Sequence, residues 1–126
     1  MTLVPGLRSK LLIMVEVEDT AQKIGSGDVP VLATPRLLAL AEQATVQALG
    51  QVLAPGETSV GTRIELEHLA ASSIGTHVEI GVELTGVDGQ RLTFGFQARD
   101  KHSLVARGTI ERMVVDRDRF LARASR

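Results

Sequence analysis

The chain has 126 residues, 14 Lys and Arg against 15 Asp and Glu, a formal charge of −1 and a hydrophobic fraction of 44%. That balance describes an ordinary globular chain, read as a single domain over 1–126 with room for one core. Near neutrality argues against nucleic-acid binding, as does the absence of Trp and Tyr, since single-strand binders need aromatic platforms. With no cysteine, disulfides, thiolate metal sites and a cysteine nucleophile are excluded. Arg8 and Lys10 precede the apolar run Leu11 to Val15 in the manner of a signal peptide, but Glu16 cuts that run short. No stretch approaches the roughly 18 apolar residues of a membrane span. The expectation is a cytoplasmic protein that contacts neither membrane nor nucleic acid.

Leu11 to Val17 reads as a strand, with Leu11, Ile13, Val15 and Val17 alternating against Glu16 and Glu18. Asp19 to Pro30, carrying Gly25, Gly27 and Asp28, reads as a loop with one helical turn near Ala21 to Ile24. Leu32 to Gln51 is the long helix. Thr34 followed by Pro35 matches an N-cap and first-turn proline, Gly50 offers a stop, and Leu38, Ala41, Thr45 and Leu49 recur on one face.

From Glu57 onward the period changes to two. Thr62, Ile64, Leu66 and His68 share the inward face of one strand, and Val78, Ile80, Val82 and Leu84 that of the next. Asp88-Gly89 signals a two-residue hairpin, answered by Leu92, Phe94, Phe96 and Ala98. Lys101 to Ser103 turns into a last long strand, Val105 to Val115. Asp116 to Ala124 closes as a short helix packed through Phe120. The element order predicts an α+β fold, one long central helix against a curved antiparallel sheet of about five strands, four of them in a meander. Such a sheet leaves edges that invite pairing, and two copies joined edge to edge make a homodimer.

Glu42 stands out because it falls among the apolar positions of the helix, where an unpaired charge costs several kcal/mol. His68 points inward on its strand, into the same layer as Glu42 of this subunit or its dimer mate. A core histidine satisfied by a carbonyl competes with an acid–base unit built from the two. Thr34 reads as a cap contributing about 1 kcal/mol, although a hydroxyl at a helix N-terminus also sits where an oxyanion is attracted. Arg112 alternates with Ile110 and Val114, so it could reach inward or along the dimer seam, but a solvated strand arginine or an ion-pair partner is the simpler account. Arg107, Arg117, Arg119, Arg123 and Arg126 make the C-terminal part basic, as a solvated face or a grip on phosphates. His77 and His102 receive no role, and the scattered N and O ligands suggest no metal.

The runs VLATPRLLALAEQA from Val31, GTRIELEHLAASSIG from Gly61 and FGFQARDKHSLVARGTIERMVVDRDRF from Phe94 resemble the hot-dog-fold thioesterases of the fluoroacetyl-CoA thioesterase type. The similarity spans about Leu11 to Phe120. It implies a homodimeric hot-dog fold, with higher homo-oligomers left open, and active sites at the dimer interface. It also implies hydrolysis of acyl-CoA thioesters by a Thr, a Glu and a His, which fall on Thr34, Glu42 and His68. The family's glycine ahead of the histidine strand, whose N–H meets the substrate carbonyl, matches Gly61. Its arginine on the last strand, a substrate-binding residue, matches Arg112. No cofactor is implied, coenzyme A being part of the substrate. The fluoroacetyl-specific enzyme carries phenylalanines in the loop before the helix, whereas Gly25 and Asp28 stand there and no Phe precedes Phe94. A general short-chain acyl-CoA thioesterase is therefore expected, with Glu42 as nucleophile or general base. A non-catalytic acyl-CoA binder or sensor would keep the same fold and pocket. A hydratase of that fold would need an inward Asp, and none is apparent.

Overall fold

Period-two sequence after residue 56 and one helical stretch before it fold as that change of pattern dictates. A computed structural model describes residues 3–50 and 52–125. Gln51 at the end of the helical pattern and Arg126 of the basic cluster lie outside the described residues. The elements are β1 (Arg8–Met14), a 3-10 turn (Val17–Asp19), a single helical turn α1 (Ala21–Ile24), the long helix α2 (Thr34–Leu49), β2 (Glu57–His68), β3 (His77–Asp88), β4 (Arg91–Arg99), β5 (Leu104–Asp116) and α3 (Arg117–Ala124).

The five strands form one antiparallel sheet in the order β1-β3-β4-β5-β2. The architecture is the α+β arrangement expected, but the four later strands are not a simple meander. Only β3, β4 and β5 follow one another. β2 instead lies beyond β5, so residues 69–76 cross the sheet to reach β3. Both β1 and β2 are edges, and β2 is the longer, 12 residues against 7.

α2 buries Leu37, Leu40, Ala41, Ala44, Thr45, Ala48 and Leu49 and packs mainly over β3 and β1. Its alanines let it approach the sheet closely. Beneath it lie Val78, Ile80, Val82, Leu84, Leu92, Phe94, Phe96 and Ala98, all buried. The inward sets of β3 and β4 are those the alternation predicts. Because the helix sits over the β1 side, Ile64 and Leu66 on β2 remain only half-buried.

Three local expectations are corrected. β1 begins three residues earlier than the pattern suggested and ends at Met14. Val15 is buried beyond it, and Val17 turns out to solvent in the 3-10 turn. A bulge between Gly61 and Arg63 interrupts the β2–β5 ladder, so Thr62 is exposed and donates its hydroxyl to the Glu111 carbonyl at 3.2 Å instead of facing inward. The N-cap of α2 is Ala33, with extended φ −72° and ψ 140°, and its carbonyl accepts the first helical bond from Leu37 N–H at 2.9 Å. Thr34 is thus the first helical residue, and its hydroxyl is free of capping. The hairpin turn, α1 and α3 fall where expected: Asp88 pairs with Arg91 around Gly89 at φ +62°, and Asp116 caps α3 by accepting from Arg119 N–H at 3.0 Å.

Candidate active site

The head of α2 is fixed by the strap that precedes it. Ala33 N–H donates to the Asp19 carbonyl at 2.9 Å, Leu32 N–H to the Ser72 carbonyl at 2.8 Å, and Arg36 Nε to Asp19 Oδ1 at 2.8 Å. These bonds hold Thr34 beside the C-terminal end of β2, where its Oγ1 lies 2.8 Å from His68 Nδ1. The imidazole is half-buried, and its Nε2 is buried without a hydrogen-bond partner among the described residues. Burial pushes the His68 pKa below its ordinary value, with the Ala70 backbone opposing the shift, so the ring is neutral at pH 7. A neutral imidazole has one donor and one acceptor nitrogen. The Thr34 contact occupies Nδ1 and leaves Nε2 to act on something else.

The pair stands at a cleft of ≈ 370 Å³ whose lining includes Val29, Val31, Leu32, Thr34, His68 and Ala70. Among the described residues, no ionisable side chain other than His68 lines it. A largely aliphatic hollow with the hydroxyls of Ser26 and Thr34 and one imidazole in its lining suits an apolar group joined to a reactive carbonyl.

Glu42 belongs to a second cluster. Its Oε2 accepts from Arg112 Nη1 at 3.0 Å. Arg112 also donates Nε to Ser59 Oγ at 2.9 Å and Nη2 to the Ser59 carbonyl at 3.0 Å. The arginine is only 5% exposed. Burial pushes its pKa down, and the attraction and hydrogen bond of Glu42 work against that shift. The Glu42 side chain keeps 30% of its surface open. The charge among the apolar positions is therefore a paired one at the rim of the core.

Gly61 is the cross-strand neighbour of Arg112, and a Cβ there would fall on Glu42 Oε2. The bulge turns Ser59 and Gly61 to the same face as Ile64, Leu66 and His68. The alternation by itself gave no sign of this, and Ser59 went unnoticed in it. The β2–β5 register, which sets Ser59 two pairs beyond Gly61, is the signal that finds it.

The five expected residues thus fall into two groups. Thr34 and His68 meet at one end of β2; Glu42, Gly61 and Arg112 meet toward the other. Thr34 and Glu42 are roughly 12 Å apart along the helix axis at 1.5 Å per residue, and Gly61 and His68 roughly 20 Å apart along the strand. Among the described residues no hydrogen bond joins Glu42 to His68 within one subunit. Nor do these residues include any group of three or more His, Cys, Asp or Glu arranged to hold a metal, or a helix long and apolar enough to cross a membrane.

Residues 10–118 match the family model of the fluoroacetyl-CoA-specific thioesterases, FlK. The chain belongs to this family. Over 93 residues, 74% of the chain, it is 39% identical to the fluoroacetyl-CoA thioesterase of Streptantibioticus cattleyicolor, of which 67% is covered. A solved structure of a FlK variant in complex with acetyl-CoA superposes with TM-score 0.92 at 30% identity, covering 98% of this chain and 97% of that one. A hot-dog-like protein from Thermanaerovibrio acidaminovorans gives 0.88 at 31%, covering 95% and 89%. The fold is accordingly the hot-dog fold, and the family is one of acyl-CoA thioesterases.

Proposed function

We propose that this family member hydrolyses short-chain acyl-CoA thioesters, with Glu42 as the base that activates water and His68, held by Thr34, as the group that manages the leaving thiolate's proton. The observation that carries the reading is the Thr34–His68 pair, 2.8 Å apart at the edge of an aliphatic cleft, its hydroxyl released from capping by Ala33. Thioester hydrolysis needs activated water, a polarised carbonyl and a proton for sulfur. Glu42 shares Oε2 with Arg112, which leaves Oε1 to take the water proton as oxygen attacks the carbonyl carbon. Backbone N–H at Gly61 stabilises the resulting oxyanion. The C–S bond then breaks, and the thiolate leaves as the thiol with a proton relayed through His68. The acyl group lies among Val29, Val31 and Ala70.

A homodimer brings the two groups together. β2 is a long open edge, and edges of this length are rarely left unpaired. If two copies of β2 pair antiparallel about a twofold axis between Ile64 and Glu65, Gly61 of one subunit lies opposite the partner's His68. The half-buried Ile64 and Leu66 and the exposed Val46 and Leu69 then gain cover. Each site takes Glu42 from one subunit and the Thr34–His68 pair from the other.

The decisive experiment follows free thiol release from acyl-CoA thioesters of increasing chain length, from acetyl upward. Turnover of the short chains, lost on Glu42→Gln, is the expected result. Saturable binding without thiol release would instead make the protein an acyl-CoA sensor.

A further inference from the structure

We infer that Asp19 is a positioning residue for the reaction: with Arg36 it sets the rotation of the first turn of α2 and so keeps the Thr34 hydroxyl on His68. The inference rests on the hydrolytic reading of that pair. The first turn of α2 is poorly anchored from within. Its cap residue, Ala33, offers no side-chain acceptor, and Pro35 has no N–H for one to hold. Asp19 supplies acceptors from the far end of the strap. Its carbonyl takes Ala33 N–H at 2.9 Å, its Oδ1 takes Arg36 Nε at 2.8 Å, and its Oδ2 takes Glu16 N–H at 2.8 Å. One residue thus ties the chain just past β1 to both sides of the turn that carries Thr34.

The Asp19 side chain is 13% exposed and that of Arg36 38%. An ion pair so open on one side adds little to stability, and what it contributes instead is geometry. Ala33 and Arg36 flank Thr34, so holding both fixes how the turn is rotated about the helix axis and where the Thr34 Cβ points. A hydrogen bond weakens steeply as it lengthens or bends. A small rotation is therefore enough to take Oγ1 off His68 Nδ1, 2.8 Å away, and small misplacements of reacting groups cost large factors in rate. The wall of the cleft is held separately. Thr20 is buried and bridges to Leu32, while Ala21 N–H donates to the Val31 carbonyl at 2.8 Å and Gln22 N–H to the Val29 carbonyl at 3.1 Å. None of these bonds uses the Asp19 carboxylate, so a variant that lacks only the ion pair keeps the wall and loses the aim.

The test places Asp19→Ala and Arg36→Ala in the whole chain, each alone and together with Thr34→Ala, and follows thiol release from short-chain acyl-CoA well below the thermal midpoint. Each change alone should lower kcat about tenfold. With Thr34 already replaced by alanine, each should lower it by about twofold or less, because the contact it supports is gone. Without substrate, nitrogen NMR of the His68 ring should move in both single variants in the direction that Thr34→Ala moves it. A merely structural ion pair would leave that spectrum, and the difference between backgrounds, unchanged. Equal losses in the two backgrounds, a wild-type kcat in both single variants or an unmoved imidazole spectrum would overturn the inference. So would a rise in KM with kcat retained in Arg36→Ala, which would make Arg36 a substrate contact. Should Asp19→Ala not fold, Arg36→Ala decides, since it leaves the Asp19 carbonyl and Oδ2 contacts in place. Full thiol release in Thr34→Ala would sink the hydrolytic reading of the pair, and the imidazole spectra would still decide whether Asp19 places the hydroxyl.

Discussion

Arg112 Nη1 and Glu42 Oε2 lie 3.0 Å apart although the residues are 70 positions apart in sequence. The contact explains how a carboxylate is tolerated among the apolar positions of α2, since burying an unpaired charge costs far more than burying a hydrogen-bonded pair. It also separates two consequences of replacing Glu42. Glu42→Gln keeps a carbonyl oxygen for Nη1 but leaves the buried guanidinium without a counter-charge. We expect unfolding free energy to fall by about 1–3 kcal/mol, measured by chemical denaturation. Thiol release should fall by about a hundredfold or more, the usual contribution of a general base. A large rate loss in a protein that remains folded is the signature of the base.

Thr34 and Ala33 exchange the roles that sequence suggests. A threonine followed by proline fits an N-cap with proline at the first helical position, but proline is equally acceptable one residue later, so the motif alone does not settle the boundary. Ala33 is the cap and Thr34 has no capping bond. Thr34→Ala should therefore change the thermal midpoint little, in contrast to the roughly 1 kcal/mol that a true cap loses. It should lower kcat and release the His68 ring from its Nδ1 contact, visible as a changed tautomer balance in nitrogen NMR of the imidazole. A midpoint drop of the size expected for a lost cap, with activity retained, would return Thr34 to a structural role.

The alternation legible in β3 and β4 was a good guide because both strands are central, one face buried and the other not, so period two is enforced at every residue. β2 is an edge with a bulge, and there the pattern misleads: Thr62 fits the inward series and faces out. The strand order was hidden for a different reason. Nothing local in β2 says that its partner is β5 rather than the next strand, because that pairing is set by a crossover of residues 69–76. Glu42 announced itself as an anomaly, but its partner could not be read, since Arg112 comes opposite Gly61 only once β2 and β5 are in register. The single-chain pattern likewise put Glu42 and His68 in one layer without showing that each has another partner inside the subunit.

His68 gives stability a pH dependence of known sign. Its folded pKa is lowered by burial from an ordinary 6.5. Between those two values the unfolded chain binds more protons than the folded one, so stability rises with pH across that window. As pH falls through about 6.5 the folded state starts to lose ground, and the loss is complete below the folded pKa. Denaturation midpoints measured from pH 8 downward should show this slope, and His68→Asn should remove it. A slope of opposite sign would mean that the ring gains its proton on folding.

Two glycines facing different neighbours separate function from folding. At Gly61 an added Cβ meets the end of the Glu42 side chain, which can swing away. At Gly108 it meets the Glu65 backbone carbonyl and the Phe96 ring, and the carbonyl cannot move without opening the β2–β5 pairing. Gly61→Ala should leave the protein folded and lower kcat by tenfold or more through displacement of the base, roughly the cost of a misplaced catalytic group. Gly108→Ala should cost about 2 kcal/mol or more in stability, as overpacking against rigid atoms does. Thermal unfolding and thiol release on the two variants check both statements. Equal behaviour would mean that the socket around Glu42 is as rigid as the sheet.

The proposed sharing of each site between two subunits would have a consequence that no single-chain arrangement reproduces. Glu42→Gln and His68→Asn are each expected to be inactive as homodimers. In a mixed dimer, one of the two sites combines the intact Glu42 of the His68→Asn chain with the intact His68 of the Glu42→Gln chain, and the other site carries both defects. Random reassortment of equal amounts makes half of all dimers mixed, each with one good site. Activity should therefore recover to about one quarter of wild type after the variants are unfolded together and refolded, which exchanges subunits. Thiol release from short-chain acyl-CoA measures the recovery, and sedimentation confirms the dimer. If both residues served the same site from one chain, every site in the mixture would lack one of them. Activity would then stay at the level of the separate variants.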